Sequence, residues 1–181
     1  PGLRQRANDL YTRLGPITAK EIQAAVIVVS ALSIMSLRSF IPALKRRWPN
    51  VTAVEISDKT TPSELDMVKV LARRADAVVA GVFVRIASYS GRMDLSPQAV
   101  SLLESVAADQ KRPFVTVIFG NPYTAMFLPK LPAVLLGYEF SDFTERAAAR
   151  ALAGEIPIGG KLPIALPGMF PIGHGLTRAV K

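Results

Sequence analysis

The chain offers few side chains for reaction chemistry. Its 181 residues include one histidine, His174, and no cysteine. A histidine-based metal cluster, a thiolate site and a disulfide are therefore excluded within this sequence, and a Ser–His–Asp triad has little to build on. The carboxylates are better placed. Asp94, Glu139 and Asp142 fall near the ends of predicted strands. Two carboxyl groups about 5–5.5 Å apart can split a glycosidic bond with retention, one as nucleophile and the other as acid/base. Each candidate also has a structural reading. Asp94 and Asp142 stand at predicted helix starts, where the helix dipole favours a negative charge. Glu139 follows Tyr138 at the carboxyl end of a predicted strand, the edge at which open α/β sheets usually take ligands.

Aromatic residues gather at the same edge. Tyr89, Tyr123 and Tyr138 each follow a predicted strand, with Phe140 close behind. Their rings could stack on sugar rings or simply pack under loops. The polar loop Arg85 to Asp94 (RIASYSGRMD) supplies Ser88, Tyr89 and Arg92 as candidates for a cleft, and Arg85 and Arg92 could meet an acidic group. His174, between Gly173 and Gly175, reads either as a turn residue near a domain edge or as a polar group bordering a partner domain's pocket. Gly154 to Lys161 (GEIPIGGK) imitates a phosphate-binding loop. Its register is off by one, Leu162 stands where a metal-reaching hydroxyl is needed, and the segment follows a helix rather than a strand. No G-x-G-x-x-G follows a predicted strand and no G-x-S-x-G is present. Neither a metal nor an organic cofactor is expected.

The elements that must position these residues alternate along the chain. Ala24 to Val29, Val51 to Ile56, Ala77 to Val84, Phe114 to Phe119 and Ala133 to Gly137 read as strands. The run AVVAGVFV, apolar on both faces, is what a parallel sheet covered by helices on both sides requires. Leu37, Phe40, Ile41, Leu44 and Trp48 form one helical stripe, ended by Pro49-Asn50. Thr61-Pro62-Ser63-Glu64 and Ser96-Pro97 are helix starts, with buried stripes Leu65, Val68, Leu71, Ala72, Ala75 and Ala99, Leu103, Val106, Ala107. Ser141 or Asp142 caps a last helix in which Phe143, Ala147 and Ala151 are expected to face inward. The β-α-β-α order predicts a three-layer α/β/α sandwich with a mostly parallel sheet of about six strands. Residues 20–181 form this domain, and 1–19 form a linker or short helix.

Half of the residues are hydrophobic and 20% are charged, as in an ordinary folded domain. The formal net charge of +8 invites a polyanion. The basic residues are nevertheless scattered, with no run of five or six, so no nucleic-acid partner is expected. Ile22 to Leu37 is a long uncharged stretch. Its serines and its length argue against a membrane span. No signal peptide is visible behind Pro1, although a targeting signal could lie upstream, so secreted, periplasmic and cytoplasmic locations are all compatible.

The segment Gly159-Gly160-Lys161-Leu162-Pro163-Ile164-Ala165-Leu166-Pro167 resembles the G-K-L-P segment of the C-terminal domain of family 3 glycoside hydrolases. Phe170-Pro171-Ile172-Gly173-His174-Gly175-Leu176 resembles that family's closing aromatic–Pro–x–Gly–aromatic–Gly–Leu signature, with His174 at the second aromatic position. Val115 to Tyr123 (VTVIFGNPY), Pro132 to Leu135 and Arg146 to Gly154 resemble the strand with its Gly–x–Pro turn, the next strand and the last helix. The details look closest to the bacterial β-N-acetylglucosaminidase-like branch.

This resemblance implies a barrel domain, N-terminal to this one, that carries the aspartate nucleophile, for which this chain has no counterpart. It implies a carbohydrate substrate at the boundary between the two domains. In some branches the acid/base glutamate comes from the sandwich domain, yet Arg85 to Asp94 contains none. The N-acetylglucosaminidase branch instead uses a histidine–aspartate pair on a barrel loop, which this absence fits. Gly137 to Asp142 (GYEFSD) stands where the family carries a G-x-E-G-G-type loop. Glu139 matches the glutamate, but the following glycines are missing. The expected role is thus a non-catalytic domain shaping the cleft of a β-glycosidase for terminal β-N-acetylglucosaminides or β-glucosides, with Ser88, Tyr89, Arg92, Tyr138, Glu139 and His174 as cleft candidates. The alternative is a self-standing flavodoxin-like binding or interaction module.

Overall fold

The computed structural model describes residues 24–30, 38–84, 95–109 and 112–180. Five strands form one sheet: β1 (Ala24–Ser30), β2 (Val51–Ile56), β3 (Ala77–Val84), β4 (Phe114–Gly120) and β5 (Val134–Leu136). All neighbours are parallel, in the order β2-β1-β3-β4-β5. The expected sheet of about six strands is therefore close to what is found. The alternation that defines its register is visible in β4. Phe114 and Ile118 point into one apolar layer, and Val117 and Phe119 into the other.

Four helices cover the two faces: α1 (Phe40–Arg47), α2 (Pro62–Arg74), α3 (Pro97–Ala107) and α4 (Asp142–Ala153). On one side, Val68 and Ala72 of α2 and Ala99, Leu102 and Leu103 of α3 close over Val78, Ala80 and Val82 of β3. On the other, Phe40, Ala43 and Leu44 of α1 and Ala148 and Ala149 of α4 close over Val26, Val51 and Phe83. Phe40 meets Phe119 edge-on at 5.3 Å, and Phe83 stacks on Phe119 at 4.5 Å. Gly81 leaves room for the Phe40 ring, which a Cβ there would touch at 3.4 Å. These are the three layers expected of parallel strands joined by right-handed crossovers.

Sequence signals fix most helix ends. Thr61 caps α2 in a complete capping box with Glu64, whose carboxylate accepts from the Thr61 backbone at 2.7 Å. Those hydrogen bonds hold the Glu64 carboxyl below its ordinary pKa. Ser96 caps α3 ahead of Pro97, Ser141 caps α4, and Gly154 ends α4 in the left-handed conformation.

The helix phase of α4 differs from expectation. Phe143 is 85% exposed and Ala147 is exposed; Ala151 is buried as expected, but its buried companions are Ala148, Ala149 and Glu145. The helix has turned toward its small residues, and the reason lies on α1. That helix starts at Ser39 without a side-chain cap. Glu145, 5% exposed, reaches across and accepts from the backbone N–H groups of Ser39 and Phe40 at 2.9 and 2.8 Å. The carboxylate thus satisfies donors that a helix start otherwise leaves open, where the dipole favours an anion. The far end of α1 is tied down as well. Arg47 grips Glu155 with Nε and, at 2.6 Å, with Nη2, and Arg150 Nε stands 3.5 Å from the same carboxylate.

Beyond α4 the chain forms a strap rather than a sixth strand. Ile158 bridges Arg178, Leu162 N–H donates to His174 O at 2.8 Å, and Gly173 N–H donates back to Leu162 O at 2.8 Å. Lys161 Nζ donates to Gly175 O at 2.6 Å. A Cβ at Gly175 would collide with Gly160 O, so this approach requires glycine. Leu162 and Leu166 enter the core on the α2–α3 side. The two C-terminal motifs of the sequence are therefore halves of one interlocked unit.

Candidate functional site at the carboxyl edge of the sheet

In a sheet of this order the strand direction of travel reverses between β1 and β3, and the crevice at their carboxyl ends is the usual ligand position. The segments leaving those ends, 31–37 and 85–94, lie outside the described residues. Ser88, Tyr89 and Arg92, together with Arg85 and Asp94, fall there.

The described part of this edge is built by the turns after β4 and β5. Strand β4 ends at Gly120, whose φ of +87° suits glycine. Asn121 then accepts from Tyr123 N–H at 2.9 Å and starts a 3-10 helix over Pro122–Phe127, which leaves Tyr123 37% exposed. Strand β5 ends at Leu136. Gly137 N–H donates to Ile118 O at 2.8 Å and continues the β4–β5 ladder by one bond. Tyr138 follows with φ +61°, the one non-glycine residue in the left-handed region among the described residues. Glu139 N–H closes back on Gly137 O at 2.8 Å. Two residues later Phe140 lies directly over Gly120, in the space a Cβ would need, and its ring stands 6.2 Å from Phe83 of β3. The β5–α4 turn therefore reaches back across β4 toward the crevice.

Tyr138 and Glu139 thus sit together at the edge where ligands are expected, and both are exposed. Partial burial raises the Tyr138 phenol above its ordinary pKa, so it is a protonated donor at neutral pH. Glu139 Oε2 accepts from Ser141 Oγ at 3.3 Å, next to the α4 cap. His174 belongs to the strap. Its ring stacks on Phe170 at 4.1 Å and 14°, and its carbonyl accepts from Leu162. The aromatic position of the closing signature is therefore filled by an imidazole that packs as an aromatic ring.

Two open concavities, of about 330 and 210 Å3, lie elsewhere. They are formed between α2 and α3 and at the amino ends of β3 and β4, beside Lys69. Among the described residues no cluster of three His, Asp or Glu side chains could hold a metal, and no helix is long and apolar enough to cross a membrane. The sequence places Phe140 at this edge, but its contact with Gly120 is not legible there, because one ring covering one glycine across twenty positions leaves no periodic signal.

No family model and no curated protein matches this sequence. Solved structures do. A fungal multi-domain β-N-acetylglucosaminidase of glycoside hydrolase family 3 is similar over 90% of this chain, with a TM-score of 0.71 and 22% identity, and the match spans 18% of that protein. A family 3 β-N-acetylglucosaminidase from Paenibacillus is similar over 77% of the chain and 27% of its own length, with a TM-score of 0.59 and 21% identity. A β-glucosidase from Listeria innocua is similar over 86% and 24%, with a TM-score of 0.68 and 20% identity. The fold is that of the C-terminal domain of family 3 glycoside hydrolases, as the sequence motifs led one to expect. The chain spans about a fifth to a quarter of the length of these proteins, so it corresponds to one part of much larger chains.

Proposed function

We propose that this chain is the C-terminal, non-catalytic domain of a β-glycosidase that acts on terminal β-N-acetylglucosaminides or β-glucosides. It packs on a barrel domain of the same polypeptide and forms one wall of the cleft. The observation that carries this reading is the strap. Two motifs resembling the family's, G-K-L-P and the closing aromatic–Pro–x–Gly signature, interlock through Leu162, Gly173, Lys161 and Gly175 on a fold shared with family 3 enzymes. Titratable groups at the carboxyl edge support a supporting role rather than a catalytic one. Glu139 is the only described carboxylate in the β5–α4 turn before the helix, and it receives the Ser141 hydroxyl beside the α4 cap.

The strand order β2-β1-β3-β4-β5 is also that of flavodoxin-like modules, which keeps a self-standing binding domain as the second reading. An antibody against this chain, used on source cells, separates the two. A band enlarged by a barrel of about 250 residues or more, whose immunoprecipitate releases p-nitrophenol from p-nitrophenyl N-acetyl-β-glucosaminide or β-glucoside, is the expected result. A single band at the size of this chain, with no hydrolysis, favours the module.

A further inference from the structure

Tyr138 combines two features that ordinary turn residues do not share. Its φ is +61°, and the Glu139 N–H closes on Gly137 O at 2.8 Å, two residues back. A three-residue turn closed in this way around a residue with positive φ is the rare, strained form of the γ-turn. Glycine meets such a backbone without penalty, and asparagine meets it more easily than a large aromatic residue does. The surroundings over-determine the conformation. Gly137 is held by Ile118 O and by close approach of Thr144 and Phe119, and Phe140 is pinned over Gly120. Between these two anchors the chain has to reverse within one residue. The tyrosine that does so stays 43% exposed at the carboxyl edge. Strain that persists where the fold could have used glycine points to a role for the side chain.

We propose that this strained turn is a presentation device, which holds the Tyr138 ring out at the edge as a platform for the apolar face of a pyranose ring. The proposal rests on the glycosidase reading above and names the residue that takes the sugar in this domain. The ligand is uncharged and ring-shaped. The phenol group can donate to a sugar hydroxyl. Glu139, turned to Ser141, takes no part in the contact. The carboxyl edge of β5 thus supplies binding and not acid–base chemistry.

Two measurements test the two halves separately. In the native-length protein, Tyr138→Ala and Tyr138→Gly are expected to raise KM for the p-nitrophenyl glycoside roughly ten-fold with kcat nearly unchanged, whereas Tyr138→Phe restores it to within about two-fold. In the 181-residue chain, Tyr138→Gly is expected to melt about 2–4 °C above Tyr138→Ala. Both lack the ring, so their difference isolates the backbone. Unchanged KM in the alanine and glycine variants, with hydrolysis intact, overturns the sugar platform and leaves the glycosidase reading standing. Equal melting of the two variants overturns the strained device. Absence of hydrolysis from the unsubstituted native protein overturns the glycosidase reading and this ligand with it.

Discussion

Glu145 carries more of this fold than its place among alanines suggests. It is buried, and it serves the open start of a helix more than a hundred residues away in the chain. Glu145→Ala leaves two buried N–H groups without their acceptor and is expected to cost about 2–3 kcal/mol, read from urea unfolding. Glu145→Gln retains one acceptor oxygen without the charge and should cost about half as much. Glu155 offers a contrast. Its pair with Arg47 is solvent-exposed and screened, so Glu155→Gln is expected to cost only about 0.5–1 kcal/mol at neutral pH. The hydrogen bond from Arg47 holds its carboxyl below the usual value of 4.5, so the stabilisation is complete above that pH. It disappears as pH falls below 4.5 through the lowered folded value, and wild type and Glu155→Gln should then unfold alike. Thr116 on β4 and Thr124 in the 3-10 helix bury hydroxyls with no hydrogen-bond partner among the described residues. Thr116→Val removes that unmet donor from a fully buried position, and a gain of about 1 kcal/mol is expected in the same assay.

At the scale of elements, local chemistry made most boundaries legible. AVVAGVFV could be little other than a buried parallel strand, and β3 covers those residues. The caps at Thr61, Ser96 and Ser141, and the terminator Gly154, act through bonds to their near neighbours and so appear in the sequence itself. The phase of α4 was not legible. Phe143, Ala147 and Ala151 make the more hydrophobic stripe, but Phe143 would have to fit between α4 and a face already filled by Phe40, Phe83 and Phe119. Alanine allows close approach, and Glu145 is drawn in by an acceptor need on α1 that no local pattern reveals. A mutational pair reads the phase directly. Phe143→Ser is expected to change stability by no more than about 0.5 kcal/mol, whereas Ala149→Leu overpacks a residue with 0% exposure and should cost about 1–3 kcal/mol. The candidate site divided in the same way. The turn after β5 was one of two addresses the sequence offered, from the predicted strand end before Tyr138 and Glu139; the other, the loop 85–94, lies outside the described residues. The left-handed Tyr138 and the Phe140–Gly120 contact depend on atoms brought together only by β4–β5 pairing.

At the scale of the molecule, the fold is one also found within much longer glycosidases. Aromatic and apolar side chains concentrate on the β4–β5 flank, with Phe127, Val134, Tyr138, Phe140 and Phe143 all exposed. The sequence as a whole is basic in balance, with 22 Lys and Arg against 14 Asp and Glu.

The strap also dictates an order of events during synthesis. Leu162 and Leu166 complete the α2–α3 side of the core, yet they leave the ribosome after every strand and helix they cover. A nascent chain that has emerged as far as α4 has all five strands and still lacks this lid. At ordinary translation speeds the missing stretch takes roughly one to five seconds to arrive, long enough for an uncovered apolar face to meet another chain. Chains arrested after Ala153 are therefore expected to be aggregation-prone and protease-sensitive. Extending them through Arg178, where the strap closes on Ile158, should restore a resistant core in pulse proteolysis.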